Sequence, residues 1–126
     1  RDSRRVQVQG TMAARVLNEE GQPVSRPFKG EIRDLSTGGL AFTNSFKREE
    51  TALSLLGRRI AVMCKLRARG QWQDVKKLAR VVGTRAHPFS EYSFHLRFDR
   101  PVSREFVDSL DPADSSGTSP DLEVEV

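Results

Sequence analysis

The sequence predicts an all-β domain: a six-stranded antiparallel barrel with a short C-terminal helix. Three observations predict it. The dominant apolar period over the first 110 residues is two rather than 3.6, the period-two runs are separated by turn residues, and one capped helical segment follows the last run. With 126 residues, one domain is the default, and it can bury a core without metal or disulfide staples.

Met12, Ala14 and Val16 mark a first strand that Gly21, Gln22 and Pro23 end. Residues 28–34 and 40–43 form two more, flanking the turn Ser36, Thr37, Gly38, Gly39. A helical turn is expected within 49–56. Ile60, Val62, Cys64 and Leu66 then alternate with Ala61, Met63, Lys65 and Arg67 as a half-buried strand. Arg69, Gly70 and Gln71 make a turn into a less cleanly patterned strand in which Leu78, Arg80 and Val82 alternate with Ala79 and Val81. The clearest strand is the last, with Tyr92, Phe94, Leu96 and Phe98 against Ser93, His95, Arg97 and Asp99. Ser103 caps the expected helix, Glu105 sits in its first turn near the positive dipole end, and Phe106, Val107 and Leu110 cover one end of the barrel.

Charge divides the chain. Residues 111–126 hold five acidic and no basic side chains around a Ser/Gly/Pro-rich stretch, and read as a flexible acidic tail or linker. Residues 1–110 keep all 21 basic residues against 12 acidic ones, so the net +4 of the whole is a +9 body with a −5 tail. Its five carboxylates can also fold back on Arg1, Arg4 and Arg5 and compete with a ligand. The opening on Arg1 rather than methionine suggests a piece of a longer polypeptide, and attached domains or a protein partner are expected.

Composition excludes several classes. No apolar run approaches the ~20 residues of a membrane-spanning helix, and no secretory core is present. The single Cys64 allows no internal disulfide and reads as an inert core thiol; with two scattered histidines it makes a structural zinc site improbable, and a reducing, cytoplasmic setting fits best. His87 precedes Pro88 in a turn and His95 lies on a polar strand face, both read first as surface histidines. No nucleophile, base and oxyanion donors converge, and no phosphate-cradling glycine loop or nucleophile elbow occurs. We therefore expect a binding domain rather than an enzyme, with no catalytic residue, resident cofactor or metal.

Two features remain. The opening Arg1, Asp2, Ser3, Arg4, Arg5 is an arm whose three guanidinium groups can fork onto phosphates or grip guanine O6 and N7. The turn Asp34, Leu35, Ser36, Thr37, Gly38, Gly39 supplies a carboxylate, a hydroxyl and glycines that allow close backbone approach. Together they suit a ligand with guanines and phosphates. Arg-x-x-x-Arg alone is weak, since a second copy occurs at Arg100 and Arg104; the Asp-x-Ser-x-x-Gly turn would arise by chance in about one or two chains in a hundred.

In these motifs, their order and the strand pattern around them, residues 1–110 resemble the PilZ domain family. The resemblance implies a PilZ-like barrel that binds cyclic di-GMP and performs no chemistry on it. It implies that Arg1 and Arg5 clamp guanine edges and phosphates with Arg4 as an auxiliary cation. It further implies that Asp34 accepts from guanine N1 and N2, that Ser36 bonds beside it, and that Gly38 and Gly39 keep the surface open. Ordering of the arm on binding would be the signal. The chain departs from the family pattern at His95, where glycine is usual; a side chain there can narrow the site or stack on a base. Two other readings stay open: a PilZ-like protein-interaction scaffold that binds no nucleotide, and a small basic barrel that holds single-stranded nucleic acid by charge, although no DNA partner is expected.

Overall fold

Burial alternates as predicted along residues 10–16, 59–68 and 91–98, and the inward residues of the long strands meet in one core. The computed structural model describes residues 5–45 and 49–112. In chain order the elements are β1 (Val6–Gln7), β2 (Gly10–Leu17), β3 (Phe28–Ser36), β4 (Gly39–Ser45), α1 (Glu49–Leu53), β5 (Arg59–Ala68), β6 (Gln71–His87), β7 (Glu91–Phe98) and α2 (Arg104–Ser109). Antiparallel pairing runs β3-β2-β5-β6-β7-β4, and β4 returns to β3, so six strands close a barrel and short β1 adds to β3. Closure pairs each barrel strand on both sides, except that residues 71–78 of β6 pair with β5 alone.

Met12, Leu40, Phe42, Ile60, Leu66 and Phe94 are wholly buried. Phe42 and Phe94, opposite each other on β4 and β7, stack with ring centroids 5.0 Å apart. Cys64 lies in the same core, and burial alone pushes its thiol up to about 12.

The turns follow local chemistry. Asn18 Oδ1 accepts from the amides of Glu20 and Gln22, and Gly21 takes the left-handed φ of +81° that ends the excursion after β2. Arg69 and Gly70, both at positive φ, make the two-residue turn between β5 and β6, the primed geometry that matches strand twist. Ser103 Oγ accepts from Phe106 N at 3.0 Å as expected, and Val107 and Leu110 bury against the barrel.

Four features differ from the sequence reading. The two-residue β1 carries no readable period. In β6, seventeen residues long, Ala79 and Val81 face inward while Leu78 and Val82 are exposed. Its first half is polar because it pairs with β5 alone and lies beyond the reach of β7, and a register shift between Val81 and Gly83 breaks the alternation further on. Finally, Asp111 and Pro112, expected to open the tail, are tied to the body: Asp111 N donates to Arg67 O at 2.8 Å and Pro112 bridges to Val8. The rest of the expected tail, 113–126, lies outside the described residues.

Candidate functional site

The pairing of β1 with β3 sets Gln7 opposite Asp34 and Val6 opposite Leu35. Arg5, the next residue back, is thereby held beside the Asp34 strand. The register of β3 against β4 shifts between Ile32 and Asp34, so that Asp34 stands on the outer side while Ile32 and Leu35 are buried. Arg5 Nη1 donates to Asp34 Oδ1 in an ion pair. The two side chains keep 43% and 27% of their exposure, so the pair is open to solvent and to a ligand. One guanidinium of the arm and the predicted carboxylate are thus brought together, whereas Arg1 and Arg4 lie outside the described residues.

The remaining turn residues have more local tasks. Ser36 is buried, and its Oγ donates to Gly39 O at 3.5 Å, closing the hairpin through Thr37 and Gly38. Gly39 does not serve to keep the surface open: a Cβ there would lie 1.9 Å from Leu96 O, so its glycine allows β4 to approach β7. A Cβ on Gly38 would meet no atom within 4 Å, which leaves Gly38 as the open glycine of the turn. The hairpin is fixed from behind, with Gly38 O accepting from Phe98 N at 2.8 Å and Thr37 O from Val102 N at 2.9 Å.

His95 is exposed, as its polar strand face predicts. It pairs with Ala41 on one side and with Gly83 on the other, and Ala41 in turn pairs with Asp34. Asp34, Ala41, His95 and Gly83 therefore form one row across four strands. With strands ~4.8 Å apart, Asp34 and His95 are separated by roughly 10 Å, with the buried Ala41 between them. On β7 the His95 side chain thus faces a glycine of β6. His87 stands at the other end of the β6–β7 hairpin, its Nε2 2.9 Å from Ser93 Oγ.

Sequence reasoning missed a second row. Ser36 pairs with Gly39, Gly39 with Arg97, Arg97 with Arg80 and Arg80 with Arg59. Arg59 Nη2 donates to Asp99 Oδ2 at 2.6 Å and Arg80 Nη1 to Gly57 O at 2.9 Å, while Arg97 is exposed beside Gly39. Three cations from three separate strands share no local motif, and only the register reveals them. Among the described residues no group of three or more His, Cys, Asp or Glu is placed to hold a metal ion, and no helix is long and apolar enough to cross a membrane.

Neither a sequence-family model nor a curated protein matches the chain. Solved structures do match. The Bacillus subtilis inhibitor of motility, MotI/DgrA, aligns over 87% of this chain with a TM-score of 0.60 and 14% identity, and this chain spans 46% of that protein's length. The PilZ domain with c-di-GMP of YcgR from Escherichia coli aligns over 87% of this chain and 85% of its own, with a TM-score of 0.54 and 17% identity. At these identities the likeness is one of architecture: this chain has the fold of a PilZ-like domain.

Proposed function

We propose that the domain is a receptor module for cyclic di-GMP. The observation that carries this reading is the Arg5–Asp34 pair, which joins the two motifs at one exposed surface point. A guanine offers N1 and N2 donors to a carboxylate and O6 and N7 acceptors to a guanidinium, so it can take both partners of this ion pair at once. Binding then exchanges an arm–barrel contact for two arm–ligand–barrel contacts, and Arg1 and Arg4 add charge toward the phosphates. Gly38 leaves room at the turn, and His95, across Ala41, offers an imidazole face for stacking. No bond of the ligand is made or broken. The likeness to the YcgR PilZ domain, which was solved with c-di-GMP, supports the reading at the level of fold.

Titration calorimetry with free cyclic di-GMP tests it. Saturable heat, lost on Asp34→Ala, is the expected result; no heat at high micromolar ligand with residues 1–5 intact would falsify the receptor assignment and favour the interaction scaffold. Salt-sensitive binding of single strands indifferent to guanine would favour the nucleic-acid reading instead. That reading also wants aromatic platforms on the outer strand faces, whereas Phe42, Phe94 and Phe98 are buried.

A further inference from the structure

The outer face of β2, β5 and β6 carries an apolar surface that the ligand reading does not use. Two adjacent cross-strand rows make it. Ala13, Met63 and Lys76 form one, and Arg15, Ala61 and Leu78 form the other. Met63 is 42% and Leu78 45% exposed, and a shallow cleft of about 530 Å³ lies over these residues. The apolar centre thus has a cation at each of two diagonal corners, Arg15 and Lys76.

The chain holds a segment of complementary pattern. In Asp121-Leu122-Glu123-Val124-Glu125-Val126 an acidic residue alternates with an apolar one at every position. An extended segment places Leu122 and Val124 about 6.7 Å apart, which is also the spacing of Met63 and Ala61 two residues apart on β5. Three carboxylates and no cation suit the basic corners.

The attachment point is on the right face. Asp111 pairs with the Arg67 guanidinium at 3.3 Å, and its amide is bonded to Arg67 O. Arg67 and Met63 are outward residues of the same strand, separated by four positions or roughly 13 Å. The eight residues 113–120 extend to about 26 Å, which is ample.

We propose that the face formed by Ala13, Ala61, Met63 and Leu78 is the docking site of this chain's own segment 121–126. Docking covers apolar surface that a monomer otherwise leaves in water and neutralises part of the body's positive charge.

A spin label tests this in the full chain. Ser119→Cys gives a single reactive site, because the Cys64 thiol is buried. Nitroxide broadening of the Ala61, Met63 and Leu78 amides, lost on Leu122→Asp with Val124→Asp and on Met63→Gln, is the expected result. Broadening confined to the amides of Val8 and Asp111, or unchanged in those variants, would overturn the proposal. So would broadening centred on Val6 and Asp34, which would put the tail on the basic arm. Broadening that arises only between a labelled and a separately isotope-enriched copy would make the occupant a second molecule's tail and overturn docking within one chain. All of these readouts are independent of nucleotide.

Discussion

Arg5 and Asp34 lie 29 positions apart in sequence and form an ion pair that links the root of the basic arm to the second long strand. Both groups are partly solvated, so the pair contributes little to stability, between about 0 and 1 kcal/mol. In the proposed receptor role its value is to place two complementary groups where a guanine would separate them.

Arg5→Ala and Asp34→Ala should therefore divide stability from binding. Each is expected to shift the urea midpoint only slightly, by less than about 1 kcal/mol. Each is expected to weaken cyclic di-GMP binding roughly ten- to a hundredfold, the effect of deleting a charged hydrogen-bond partner. Calorimetry and urea unfolding of the same two variants check this; a large fall in stability with unchanged affinity would make the pair purely structural.

The glycines of the turn should behave in opposite ways. Gly39→Ala brings a methyl onto the Leu96 carbonyl, a backbone clash that no rotamer relieves, and is expected to cost about 3 kcal/mol or more. Gly38→Ala enters open space and should leave the melting temperature within a few degrees of the parent. Loss of ligand binding in Gly39→Ala would then report a displaced β4, so Gly38→Val is the better probe of steric access to the site.

How far these assignments could be read beforehand depends on the range of the signal. Tyr92, Phe94, Leu96 and Phe98 announce their strand because one face is buried and the other wet. Ser103 announces its helix because capping is local chemistry. Leu78 and Val82 mislead, since they are apolar residues on the outer face, and the pattern cannot state which alternate set faces the core. The Asp34 turn was visible as a motif, but the task of Gly39 was not, because the atom that demands glycine belongs to Leu96, 57 positions further on. The Arg59–Arg80–Arg97 row was hidden for the same reason: cross-strand neighbours are fixed by register, which no local period encodes.

Cys64 gives a pH-dependent prediction. Burial raises its thiol from the ordinary 9.0 to about 12, so the folded chain keeps a proton that the unfolded chain releases above pH 9. The unfolded state then binds fewer protons, and stability must fall as pH rises from 9 toward 12, by up to about 1.4 kcal/mol per pH unit from this group. Below pH 9 Cys64 contributes no slope. Urea unfolding of the parent and Cys64→Ala between pH 9 and 11 measures the difference: the parent should lose stability more steeply, while at pH 8 its thiol should react with a disulfide reagent only after unfolding. Equal slopes would contradict the buried placement.

Asp111 anchors the chain after α2 to the barrel. Its carboxylate accepts from the amides of Arg69 and Gly70 at 3.1 and 2.9 Å and pairs with Arg67, tying the chain after α2 to the β5–β6 turn. Both turn residues hold positive φ, which costs Arg69 conformational energy that a fixed anion at its amide helps to offset. Asp111→Ala leaves both donors to water and should cost about 2 kcal/mol, lowering the melting temperature by roughly 10 °C for a body of this size. Asp111→Asn keeps one acceptor oxygen and should recover part of that loss. The bonds of Asp111 go to Arg67, Arg69 and Gly70 and not to Arg5 or Asp34, so cyclic di-GMP affinity should stay at the parent value in both variants. Thermal melts with and without ligand distinguish the outcomes, and a neutral Asp111→Ala would return this residue to the tail.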